Sequence, residues 1–317
     1  MTTSKLCKRA MSTIAWCLLL VEGLSAATAS DERHAYVCNN QKAETEAFEQ
    51  FKKGAGGFDP NYTPPANIDS VSYTTSDGKT MAGYMAKARG STHFLAEPLG
   101  YILLLPGNAV YAQDLISEIR ELSLLGYDVY VYDYRGYGRS AGPSTVAGII
   151  SDAKELIIRL NRSATEGGRG YATHVIYGIS AGGAIALNAL DANSKIDRLI
   201  LDGLPATMSV KLRLYFEYLR VPILECPAEL APMNRAMFDS KRSLLIKGNQ
   251  DVVLANTQYK RDQDRLLAKA KAAGVCVSVQ PKFGHPLMDG LTSPRIQLIE
   301  KFLKADLTQG CPSFPIY

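Results

Sequence analysis

From residue 101 to residue 304, short apolar runs alternate with longer amphipathic stretches. The run "YILLLP" (101–106) is continuously apolar, the pattern of a strand covered on both faces. Residues 112–125 then place Leu115, Ile116, Ile119, Leu122 and Leu125 near helical spacing, and Gly126 stops the helix. Strand 127–134, a helix near 146–160, strand 174–178, a helix over 181–192 and strand 198–202 follow. After a gap come strand 243–248, a helix over 256–273, strand 275–280 and a last helix near 294–304. Repeated strand–helix units joined by right-handed crossovers build a parallel sheet with helices on both faces, so the expected class is α/β. Upstream, "IDSVSYTT" and "TMAGYMAKA" flank Ser76-Asp77-Gly78-Lys79, which predicts a hairpin turned at Asp-Gly.

A length of 317 residues suits one large α/β domain or two small ones. No internal repeat or linker divides the chain, so residues 67–308 read as one domain with a tail at 309–317. Residues 30–66 are polar and irregular and read as an arm before it. The one large interruption, residues 203–241, is rich in aromatic and aliphatic residues. It lies at the carboxyl end of the sheet, where open α/β sheets bind ligands, and reads as a lid, a pocket wall or a packed excursion.

The first residues have a different character. Lys5, Lys8 and Arg9 precede an apolar stretch at 11–21, and Ala27-Thr28-Ala29 matches a small-residue cleavage site. This pattern predicts a signal peptide over residues 1–29, cleaved after Ala29, and a periplasmic or secreted protein. The apolar stretch is short for a membrane span, so no stable span is expected after cleavage. Removal of that segment takes away three basic groups and Glu22, and the net charge falls from +4 to +2. With no long basic block, nucleic acid is not the expected partner. Cys38, Cys226, Cys276 and Cys311 then remain, and an oxidising compartment predicts at least one disulfide among them, with three connectivities open.

The sequence "YGISAGG" (177–183) falls where a strand gives way to a helix. Gly178-Ile179-Ser180-Ala181-Gly182 fits G-x-S-x-G in the context that pattern requires. A sharp turn there projects a serine hydroxyl beside a helix N-terminus, whose free N–H groups favour developing negative charge. Ser180 is therefore the candidate nucleophile, and a simple helix cap is the alternative. A serine needs a base and a group to orient that base. Of four histidines, only His285 in "KFGHPLMDG" follows a late strand at the edge Ser180 occupies. Asp251 in "IKGNQDVV" lies just past another strand end, which gives the chain order Ser–Asp–His. Asp202 and Asp133 are rival carboxylates at strand ends. The N–H groups of Ala181 and of Asn108, after Gly107, are the candidate oxyanion donors.

Together "LLLPGNA", "LGYDVYVYDYRGYGRSAG", "VIYGISAGGAIAL", "LIKGNQD" and "FGH" resemble the α/β-hydrolase superfamily, and within it Bem46-like serine hydrolases, over residues 68–305. The resemblance implies a mostly parallel eight-stranded sheet, a triad of Ser180, Asp251 and His285, and neither metal nor organic cofactor. It also marks a departure at Pro106, where relatives usually carry a histidine that buttresses the loop; the proline puts loop geometry and substrate preference in question. The expected activity is hydrolysis of small or lipid-like acyl esters or thioesters. A peptidase or amidase using the same triad and a silent binding module on the same fold remain alternatives.

Overall fold

The computed structural model describes residues 36–37, 41–54, 57–89, 97–108, 110–162, 171–191, 194–206, 224–226, 230–231, 242–251, 254, 257–286 and 290–317. Residues 1–29, expected to form a signal peptide, lie outside these residues, as does most of segment 203–241, expected to form a lid or pocket wall. The strands are β1 (Tyr36–Val37), β2 (Ile68–Thr74), β3 (Thr80–Ala86), β4 (Gly100–Leu105), β5 (Tyr127–Tyr132), β6 (Thr173–Ile179), β7 (Arg198–Asp202), β8 (Leu224–Glu225), β9 (Ser243–Gly248) and β10 (Cys276–Gln280). The helices are α1 (Gln41–Gly54), α2 (Ile116–Ser123), α3 (Val146–Arg162), α4 (Ala181–Ala189), α5 (Thr257–Ala272) and α6 (Ser293–Lys304).

Among the described residues, eight strands form one sheet in the order β10-β9-β7-β6-β4-β5-β3-β2. β3 pairs antiparallel with β2 and β5, and every other pairing in the sheet is parallel. This strand order, with β3 alone reversed, is the α/β-hydrolase fold. A separate parallel pair, β1 with β8, joins residues before the sheet to the segment after β7.

Alternation along the strands explains how both faces are filled. On one face Leu103, Leu105, Ile176, Leu199, Leu201 and Leu245 pack against α3, α4 and α5, through residues such as Ile149, Leu156, Ala186 and Leu266. On the other, Ile102, Leu104, Val129, Val175, Ile200 and Ile246 pack against Ile119 and Leu122 of α2 and Leu298, Ile299 and Phe302 of α6. All six residues of β4 are buried, as its unbroken apolar sequence requires. Full burial of each such leucine or isoleucine contributes about 1.5–3 kcal/mol before entropic costs.

The helix expected over 112–125 is present as a 3₁₀ turn (Ala112–Leu115) followed by α2. Residues read as irregular before the hairpin contain α1, and that helix is packed down. Ala47 and Phe48 are buried. The Glu44 carboxylate accepts the N–H of Val146 at 2.9 Å, at the first turn of α3, where a negative charge is favoured by the helix dipole. Lys52 donates to the carbonyl of Gly136 at 2.8 Å.

A disulfide joins Cys276 to Cys311 with a Cα–Cα distance of 5.4 Å, and Cys226 is disulfide-bonded as well. The first bridge ties the tail to β10. Gln280 holds it further, donating to the carbonyl of Pro315 at 2.8 Å and accepting the N–H of Tyr317 at 2.9 Å. The Tyr317 ring then stacks on Phe283, with centroids 6.3 Å apart.

Candidate active site

Ser180 follows β6 directly and precedes α4, with φ 58° and ψ −119°. It is the one non-glycine residue with positive φ among the described residues. A backbone in that region costs roughly 1–3 kcal/mol and persists only where surrounding packing enforces it. The flanking glycines show what enforces it here. A Cβ on Gly178 would stand 2.4 Å from the Cα of Gly183, and one on Gly182 would stand 2.0 Å from the carbonyl oxygen of Leu105. The strand end, the helix start and the loop after β4 therefore meet backbone to backbone around the serine. The N–H of Ser180 donates to the carbonyl of Asp202 at 2.8 Å, which fixes the turn against β7.

The serine makes no side-chain cap bond to α4, which sets aside the helix-cap alternative. Its Oγ lies 2.8 Å from Nε2 of His285. Nδ1 of the same ring lies 2.8 Å from Oδ2 of Asp251. The other carboxylate oxygen of Asp251 accepts the N–H of Leu254 at 3.0 Å, so the acid is held in a fixed orientation. All three side chains are buried. Ser180, His285 and Asp251 thus form a linked triad of the kind that supports acyl transfer to serine. They come from three loops at the same edge of the sheet, after β6, β10 and β9.

The acid and base loops are fastened to each other by backbone bonds. The N–H of Gln250 donates to the carbonyl of Phe283 at 2.9 Å, and the N–H of Asn249 donates to that of Gln280 at 2.9 Å. Below them lies Arg295 of α6, a residue that belongs to none of the sequence motifs around the triad. Its guanidinium donates to Oδ1 of Asp202 at 2.6 Å and to the carbonyl of Gly284 at 3.2 Å. It also lies 4.6 Å from the centre of the Phe283 ring. Asp202 takes a further bond from the Tyr177 hydroxyl at 3.0 Å. Burial pushes the Asp202 carboxyl above its ordinary value, against the opposing pull of Arg295 and Tyr177. The rival acid is therefore committed to a structural network, while Asp251 is the carboxylate on the histidine.

Asp133 also has a structural assignment. Its carboxylate accepts the N–H groups of Ala112 at 2.7 Å and Arg139 at 3.4 Å, and burial pushes its pKa up to about 6. A raised carboxyl means that the native state holds a proton which the unfolded chain releases near pH 4. Asp133 therefore subtracts roughly 2–3 kcal/mol of stability as pH rises from about 4 to about 6. Asp133→Asn is expected to remove that part of the pH dependence, measured by urea denaturation at pH 4 and pH 6.5. An equal loss in variant and wild type would place the effect elsewhere.

Asn108 lies on the loop after β4, and its Oδ1 accepts the Tyr137 hydroxyl at 3.2 Å. Ala181 opens α4. Among the described residues, no group of three or more His, Cys, Asp or Glu could hold a metal ion, and no helix is long and apolar enough to cross a membrane.

Fold and site together define an α/β-hydrolase-fold protein with a serine-hydrolase triad. Comparison with known proteins agrees at that level. A hydrolase family model described as serine aminopeptidase, S33, matches residues 96–220. The chain is 30% identical over 142 residues to the uncharacterized protein YfhR of Escherichia coli (strain K12), covering 44% of this chain and 47% of that protein. It thus spans about half the length of that curated relative. Among solved structures, an esterase of Pyrococcus furiosus, Pf2001, aligns with a TM-score of 0.56 at 16% identity, over 81% of this chain and 98% of the other. An alpha-beta hydrolase from Vibrio vulnificus aligns with a TM-score of 0.55 at 20% identity, over 75% and 81%. At these identities the structural likeness is one of fold.

Proposed function

We propose that this protein is a serine hydrolase that cleaves carboxylic esters or thioesters of small or lipid-like acyl groups through an acyl-enzyme. The observation that carries this reading is the unbroken chain Ser180–His285–Asp251, with both hydrogen bonds at 2.8 Å. Ser180 Oγ attacks the carbonyl carbon while His285 Nε2 takes its proton. Asp251 holds the imidazole through Nδ1 and stabilises its charged form. The N–H groups of Asn108 and Ala181 receive the negative oxygen of the tetrahedral intermediate. His285 then protonates the leaving alkoxide or thiolate; later it takes a proton from the attacking water and returns it to Ser180 Oγ as the acid leaves. A silent binding module would have no use for a strained serine aligned with a base and an acid.

The finer likeness to Bem46-like hydrolases rests on "GNA" after β4 and "DYRGYGRS" after β5. Export to the periplasm or beyond is supported by the N-terminal pattern and by the disulfides. A second reading, amide cleavage, draws on the serine aminopeptidase description of the matching family model. A panel of p-nitrophenyl esters of graded acyl length, run beside aminoacyl anilides, separates the two. Ester turnover that disappears in Ser180→Ala is expected. Faster turnover of the anilides would reject the ester reading for the amide one.

A further inference from the structure

We propose that Tyr134 and Tyr137, on the loop after β5, are positioning residues that hold the loop 106–108 in place for oxyanion binding. This rests on the serine-hydrolase reading above and adds the device that keeps one of its two oxyanion donors in place. The loop leaves β4 at Leu105 and runs against the first turn of α4: a Cβ on Gly182 would stand 2.0 Å from the Leu105 carbonyl oxygen and 2.5 Å from that of Pro106. Pro106 has no N–H, so its carbonyl is the backbone group by which this residue can be fastened. The hydroxyl of Tyr134 donates to that carbonyl at 2.7 Å. Two residues further on, the hydroxyl of Tyr137 donates to Oδ1 of Asn108 at 3.2 Å. The two bonds straddle Gly107, whose freedom would otherwise let the loop swing.

Both donors are themselves held. The rings of Tyr134 and Tyr137 meet edge to face with centroids 6.3 Å apart, and Tyr137 is buried. Phe48 of α1 packs edge-on against Tyr137, and the Lys52 ammonium lies 5.6 Å from that ring's centre. Asp133, directly before Tyr134, takes the N–H of Ala112 just beyond the same β4 loop, so the two loops are tied at a third point. Burial pushes the Tyr134 phenol well above its ordinary value, which keeps it a donor throughout the working pH range. An oxyanion donor contributes only if it is already aimed at the developing charge. Loosening the loop therefore lowers transition-state stabilisation with little effect on ground-state binding.

The test removes single hydroxyls. Tyr134→Phe and Tyr137→Phe are compared with Tyr73→Phe, a variant that also removes a buried hydroxyl bonded to a backbone carbonyl (Tyr73 to Asp152 at 2.9 Å) but away from the site. With a p-nitrophenyl ester, kcat of Tyr134→Phe is expected to fall about 10-fold, and that of the double Tyr134→Phe/Tyr137→Phe variant roughly 50-fold, with KM within about twofold. Affinity for a trifluoromethyl ketone, which forms a tetrahedral adduct with serine, should fall in parallel with kcat/KM. Tyr73→Phe should keep wild-type kcat. Wild-type kcat in both single variants and the double, a change confined to KM, or an equal fall in Tyr73→Phe would overturn the proposal. Fluorophosphonate labelling of the wild type accompanies these assays. Absence of Ser180 labelling would overturn the underlying reading as well, whereas labelling together with unaffected variants would overturn the tyrosine assignment alone.

Discussion

Asp251→Asn is expected to lower kcat by about 10⁴-fold with the ester that turns over fastest, while Asp202→Asn stays within about tenfold of the wild type. The difference follows from what each carboxylate touches. Asp251 Oδ2 meets Nδ1 of His285 at 2.8 Å, and its second oxygen is occupied by the Leu254 N–H. An amide at this position presents either an oxygen without charge or an N–H. In the first case the imidazolium loses its counter-charge; in the second the ring is driven to the tautomer that cannot accept the serine proton. Asp202 touches Arg295 and Tyr177, and meets the serine only through its backbone carbonyl, which the substitution retains. Steady-state kinetics on the two variants, with folding checked by circular dichroism, measures the contrast. A larger loss in Asp202→Asn would move the acid from the strand end of β9 to that of β7.

Arg295→Met is expected to destabilise the protein by about 3–5 kcal/mol, the usual cost of removing one partner of a buried ion pair. Both charged groups are about 1% exposed and lie 2.6 Å apart. Without the guanidinium, Asp202 stays buried and keeps the bond from the Tyr177 hydroxyl, while the bond from Arg295 to the carbonyl of Gly284 is lost. The methionine refills most of the volume, so the loss is chiefly one of charge and hydrogen bonding. Adding Asp202→Asn should recover a large part of it, since a neutral side chain no longer requires the cation. Urea denaturation read by tryptophan-independent circular dichroism gives both numbers. A single variant within about 0.5 kcal/mol of wild type, at an unchanged denaturant slope, would mean that the pair contributes nothing measurable.

The site was legible in the sequence because its parts lie at strand ends. Apolar runs fix where β6, β9 and β10 stop, and Ser180, Asp251 and His285 each follow such a stop closely, at one edge of a parallel sheet. Arg295 left a weaker trace. It stands three, four and seven residues before Leu298, Ile299 and Phe302, on the buried stripe of α6, and a charged residue there signals a buried partner. Helix α1 is hard to see in the sequence because residues 41–54 are strongly polar, and its place depends on contacts about a hundred residues away, such as Glu44 with Val146. The Cys276–Cys311 pairing depends on the tail returning to the start of β10, which no local pattern announces. The Tyr134 hydroxyl is a similar case: "DYRGYGRS" shows a turn-rich loop, and only the fold brings it against Pro106.

The central claim, that Ser180 is an activated nucleophile, is tested most directly by labelling the folded protein with a fluorophosphonate and mapping the adduct by mass spectrometry. One adduct, on Ser180, that disappears in Ser180→Ala and slows at least 100-fold in His285→Ala is the predicted result, the slowing reflecting loss of the base. Folded protein that takes up no label, or takes it up on another residue, would contradict the account.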